Sequence, residues 1–152
     1  MQLQVVSSTV ATDKNDGNPN ITGGSIFQVK VSVSDVKDGS ANLSVSLQTP
    51  DGKPISGPKP IIGLREGSDA RLVPEGSKPD HGSLGRTAVI GITGNVKESQ
   101  KANLVFTLSQ GKNVIASAAQ PLHLLQGSSS HSPGQMSSVV GGSRNNVDFG
   151  VP

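Results

Sequence analysis

Cysteine, tryptophan and tyrosine are all absent from this 152-residue chain, and phenylalanine occurs three times. Without cysteine there are no disulfide staples and no thiolate metal sites, although the compartment stays open because a sequence without thiols suits any redox environment. Without Trp or Tyr there is no flat platform for stacking sugar rings, and the scarcity of aromatics removes the stacking surface that single-stranded nucleic acids need. No apolar run approaches 18 residues. Met1-Gln2-Leu3-Gln4 offers neither a basic n-region nor an apolar h-region, so the expectation is a protein that is neither membrane-inserted nor a secretory precursor.

Charge is also in short supply and evenly scattered. The formal net charge is +2, and residues 51–80 carry five basic and five acidic side chains. The one basic excess lies around Arg86, Lys97, Lys101 and Lys112. A nucleic-acid-binding face would gather such residues together and interleave aromatics, so this scatter reads as a solvated surface.

What is present is alternation. Phe27, Val29, Val31 and Val33 alternate with Gln28, Lys30, Ser32 and Ser34, and Leu43, Val45 and Leu47 repeat the pattern against Asn42, Ser44, Ser46 and Gln48. Successive side chains on a strand point to opposite faces, so each run reads as a half-buried strand. With so few aromatics, the core must be built from Val, Ile and Leu, each worth roughly 1.5–3 kcal/mol when fully buried.

Residues 3–12 read as a first strand, with Val5-Val6 breaking the alternation at a bulge or an edge. Residues 13–24 read as a polar turn region, and residues 26–36 as the strongest strand. Asp38-Gly39 is a hairpin signal that should return residues 41–48 antiparallel to the strand before them. Thr49-Pro50-Asp51-Gly52 is a second turn, and Pro54, Pro58 and Pro60 mark the following stretch as an extended edge segment. Residues 65–85 form a long irregular stretch with a short run at 70–73, a length that in a compact domain points to a contact surface. Strands follow at 86–93, 101–109, 114–119 and 122–124, with Gln110-Gly111 closing a hairpin. No segment holds a 3.6-residue apolar period beyond about two turns, so no helix is expected.

The expected architecture is all-β: an antiparallel β-sandwich of seven to nine strands, Ig-like or jelly-roll-like, over residues 1–126, with a Gly/Ser-rich C-terminal tail or arm over residues 127–152. Val147, Phe149 and Val151 alternate at the end of that tail, the pattern of a segment that adds as a strand to a sheet edge.

Chemistry is sparse. Asp80, His81 and Ser83 hold the residue types of a hydrolytic triad, but near neighbours in a Gly-rich loop do not reach triad geometry or supply an oxyanion hole. His123 and His131 are isolated; only folding could bring His81 to His123. Counting from Asp13, the Asx-rich segment fails three requirements of an EF-hand loop, including the Gly at position 6 and the Glu at position 12. Asn20-Ile21-Thr22 and Asn42-Leu43-Ser44 match the glycosylation tripeptide, which recurs by chance. The expectation is no enzyme, no cofactor, no metal and no small-molecule substrate.

The runs over residues 26–48 and 86–125, with the intervening TPDGKPISG, resemble the immunoglobulin-like or fibronectin-like modules of phage particles and bacterial surface proteins. The resemblance spans roughly residues 3–126 and implies a β-sandwich with no shared catalytic motif. The expected role is a non-enzymatic structural or interaction protein, a virion decoration or minor capsid component at the virion surface that contacts neighbouring subunits. The alternative is a secreted bacterial surface or matrix module, extracellular or on the cell surface, that binds a protein or glycan. Partners are then other protein subunits in a homo-oligomer or capsid assembly, with no nucleic acid and no membrane insertion. The candidate contact residues are Val147, Phe149 and Val151 in the tail and Arg71 and His81 in the long loop.

Overall fold

The computed structural model describes residues 2–8, 14–34, 41–65, 70–72, 83–128, 133–140 and 144–149. Among these are ten strands and one helix: β1 (Gln2–Ser8), β2 (Asn20–Gly23), β3 (Ile26–Ser34), β4 (Asn42–Gln48), β5 (Lys59–Leu64), β6 (Ala70–Leu72), β7 (Ser83–Thr93), β8 (Gln100–Gln110), β9 (Asn113–Ser128), α1 (Pro133–Val140) and β10 (Asn146–Asp148). They form two five-stranded sheets. The first runs β1-β3-β7-β5, with β6 also paired to β7, and the second runs β10-β4-β8-β9-β2.

Alternation builds the core. Phe27, Val29, Val31 and Val33 of β3 are buried together with Ala88, Ile90 and Ile92 of β7. They meet Leu43, Val45 and Leu47 of β4 and Leu104, Phe106 and Leu108 of β8 in one cluster. One face of each sheet is apolar and the two faces close on each other, the β-sandwich-like arrangement the patterning requires. The three-proline segment supplies β5, which lies at an edge of its sheet as the prolines demand. β5 pairs with residues 88–93 of β7 and β6 with residues 83–85, so the two lie end to end along one side of β7.

Several connections differ from the sequence expectation. Strands β3 and β4 do not form a hairpin: β3 pairs with β1 and β7, and β4 with β8 and β10, in opposite sheets. Both strands carry one apolar face, and those faces are equally buried side by side or opposed across the core; here they are opposed. Asp38-Gly39 lies outside the described residues. β1 pairs with β3 without a register shift, so Val5-Val6 marks an edge strand and no bulge.

The polar region at 13–24 contains β2, whose Ile21 is fully buried and which runs parallel to β9. One apolar residue in a polar stretch is too little periodicity to announce a strand. The expected strands at 114–119 and 122–124 are one, β9, continuing through Pro121. The N–H of His123 donates toward β2, to the Pro19 carbonyl at 2.8 Å, so Pro121 turns its missing donor to the same side, ahead of the first β2 pair.

The C-terminal segment also folds onto the sandwich. Helix α1 opens on Pro133, a residue pre-set for the first helical position. Met136 and Val140, one turn apart, are buried against Ile61 on the outer face of the first sheet, with Ile26 and Val89 packed beside them. Gly91 makes room for the helix: a Cβ there would lie 3.0 Å from Met136 Cε and 3.2 Å from Ile61 Cγ1. An eight-residue helix with two buried anchors gives too short a period to be read in advance.

Candidate interaction site at the sandwich edge

After α1 the chain passes from the first sheet to the second. The Arg144 carbonyl accepts the N–H of Ile62 on β5 at 3.1 Å, and the Asn145 carbonyl accepts the N–H of Val45 on β4 at 2.8 Å. These consecutive carbonyls bond one strand of each sheet, so the segment acts as a strap across the open side of the sandwich. β10 then pairs antiparallel with β4, Val147 opposite Leu43, and the Phe149 N–H donates to the Ala41 carbonyl at 2.9 Å. Phe149 is fully buried in the main core, and Arg86 of β7 lies over its ring, 5.4 Å from the centroid.

Beside the strap, between β4 and β5, lies a groove of about 690 Å³. Its apolar wall includes Leu47, Ile55 and Pro58, and its polar groups include Ser46, Thr93 and Asn145. Lys59 and Arg144 also line it, and among the described residues no Asp or Glu does. Both cations hang from fixed backbone: the Lys59 carbonyl accepts the Thr93 hydroxyl at 3.0 Å, and the Arg144 carbonyl is held by Ile62.

The β4 edge in this groove is only partly used. The Val45 N–H donates to the Asn145 carbonyl, and the Leu47 carbonyl accepts the Ile55 N–H at 3.3 Å. The N–H and C=O of one residue in an antiparallel strand point the same way, so the Val45 carbonyl and the Leu47 N–H face outward too. Among the described residues no main-chain bond is made to either. Asn145 lies beside Val45 and Ile55 beside Leu47, so the chain itself occupies the place next to β4 at both residues, and the groove opens outside them.

A second polar contact lies on the other side of the second sheet. His123 Nε2 on β9 meets Asp16 Oδ2 at 2.6 Å, and Asp16 Oδ1 accepts the Asn18 N–H at 3.0 Å. The Asn18 hydrogen bond first, and then that from His123, hold the Asp16 carboxyl below its ordinary value. This pair ties the Asx-rich turn to β9. No group of three or more metal-ligating side chains occurs among the described residues.

The residues singled out in the sequence fall in different places. Val147 is half-buried on β10, packed against the core, and Phe149 is within the core. Arg71 is on β6, its backbone opposite Leu84 of β7. His81 and Val151 lie outside the described residues, as do Asp80 and Asp13. Lys59 and Arg144, which give the groove its charge, were not singled out. The only advance signal was the cluster of prolines marking an open edge beside Lys59.

No protein-family model matches the chain, and no curated protein matches it. Among the described residues no helix is long and apolar enough to cross a membrane.

Proposed function

We propose that this chain is a non-enzymatic structural or interaction protein, a virion decoration or minor capsid component that contacts neighbouring subunits at the particle surface. The observation that carries this reading is the groove between β4 and β5. There an apolar wall of Leu47, Ile55 and Pro58 lies beside the exposed cations Lys59 and Arg144, the mix of apolar and charged groups that a protein contact uses. A closed, repeated assembly covers such a surface on every copy.

An immunoglobulin-like form of the sandwich is part of the proposal. Its support is the strand order: β1-β3-β7-β5 follows the A-B-E-D sheet and β4-β8-β9 the C-F-G sheet of such domains. β2, running parallel to β9, takes the place of a split first strand that has crossed to the second sheet. β10 extends that sheet beyond β4.

The experiment is the solution mass of the full chain by light scattering over a concentration series. The reading predicts a mass rising above the 15.5 kDa of one chain toward a defined multiple. A single-chain mass at every concentration overturns self-association.

A further inference from the structure

We propose that the β4–β5 groove receives an extended, acidic segment of a partner protein; this rests on the interaction reading above. Two features of the groove select that occupant.

The first is charge. Lys59 and Arg144 line the groove with no carboxylate beside them among its described lining residues, so an incoming Asp or Glu is favoured and an incoming Lys or Arg is opposed. Because the backbone at both cations is already held by hydrogen bonds, less freedom is lost when they engage a carboxylate.

The second is the division of the wall into apolar and polar parts. An extended segment points alternate side chains in opposite directions, so apolar residues can pack on Leu47, Ile55 and Pro58 while their neighbours present carboxylates to the cations. Nucleic acid is disfavoured because no aromatic side chain lines the groove to stack a base.

The test uses the full chain and a fluorescein-labelled eight-residue peptide of alternating valine and glutamate, followed by fluorescence polarisation. Lys59 and Arg144 are exposed, so Lys59→Glu and Arg144→Glu leave the core intact, which thermal melting checks. Lys59→Gln separates loss of charge from its reversal. The proposal predicts saturable binding, weakened at least about tenfold by either reversal and weakened by salt, as expected for partly exposed charge pairs. An alternating valine and lysine peptide should not bind.

Failure of the acidic peptide to bind, equal binding of the lysine peptide, or insensitivity to both reversals overturns the proposal. Tighter binding of a ten-nucleotide oligothymidine than of the peptide overturns it in favour of nucleic acid. Light scattering on the same samples separates this inference from the one beneath it. A chain that self-associates yet ignores the peptide loses only this occupant, whereas a monomer that binds it keeps the occupant and loses self-association.

Discussion

Arg86 of β7 lies over the ring of Phe149, its guanidinium carbon 5.4 Å from the ring centroid. The contact joins a central strand of one sheet to the end of the C-terminal strap on the other. Phe149 is fully buried, so Phe149→Ala should lower stability by about 3–5 kcal/mol, the range for truncating a core aromatic. Phe149→Leu keeps most of the apolar volume and loses the cation contact, so it should cost markedly less. Urea melts of both variants check the difference; equal, small losses would mean that the strap is not part of the core.

The strap also changes what truncation can reveal. Ending the chain at Gln126 removes Met136, Val140 and Phe149, three buried side chains. At roughly 1.5–3 kcal/mol each, their loss amounts to on the order of 5 kcal/mol, a large part of the stability of a small domain. The truncated chain should melt far below the full one or fail to fold cooperatively. A truncation that melts at the same urea concentration contradicts the docking of α1 and β10.

Gly91 and Met136 should be coupled. Gly91→Val places methyl groups where Met136 and Ile61 already pack and should cost about 1–3 kcal/mol through overcrowding. In a Met136→Ala background the space is vacated and the added cost should shrink. A double-mutant cycle by urea denaturation measures this; strictly additive losses would show that α1 does not cover that face.

Much of the fold was legible because β3, β4 and β8 each alternate for seven residues or more with one apolar face inward. The prolines gave β5 its place at the edge. The pairing of strands was less legible, because a strand with one buried face reads the same whether its chain neighbour lies beside it or across the core, as β3 and β4 show. β2 and α1 were hidden for a simpler reason: each rests on one or two buried anchors, Ile21 and Met136 with Val140, in otherwise polar sequence. The alternation of Val147 and Phe149 did mark a strand that adds to a sheet edge, and what it did not show is that the edge is β4 of the same chain. The groove was less legible still, since Lys59 and Arg144 are 85 residues apart and meet only because the strap crosses the edge.

The Asp16 contact predicts an acid-side loss of stability. The folded-state value of Asp16 is lowered, so its stabilising contribution is complete above the ordinary carboxylate value of 3.8 and is lost as pH falls through the lower folded value. Asp16→Asn should therefore flatten the melting profile below about pH 4 relative to the parent chain. Profiles of parent and variant that stay parallel through this range would remove the carboxylate from the account.

The β10 register can be locked covalently because the chain has no cysteine of its own. Asn42 and Asp148 are opposed across β4 and β10, and both are exposed. Leu43 and Ala41 direct their main-chain bonds to the strap, so the 42–148 pair is of the non-hydrogen-bonded kind, whose Cβ atoms come close. Asn42→Cys with Asp148→Cys should form an intrachain bond on oxidation of dilute protein and raise the melting temperature, the long closed loop adding up to about 4 kcal/mol of stability. Intermolecular dimers formed instead under dilute conditions would show that β10 belongs to a neighbouring copy.

The most direct test of the strap that builds the groove is amide hydrogen exchange resolved to single residues in dilute protein. Val45 and Ile62, whose N–H groups are held by the strap, should exchange slowly in the parent chain and orders of magnitude faster in Phe149→Ala, which frees the end of the strap. Fast exchange of both in the parent chain would mean that the strap is not docked, and would contradict the account.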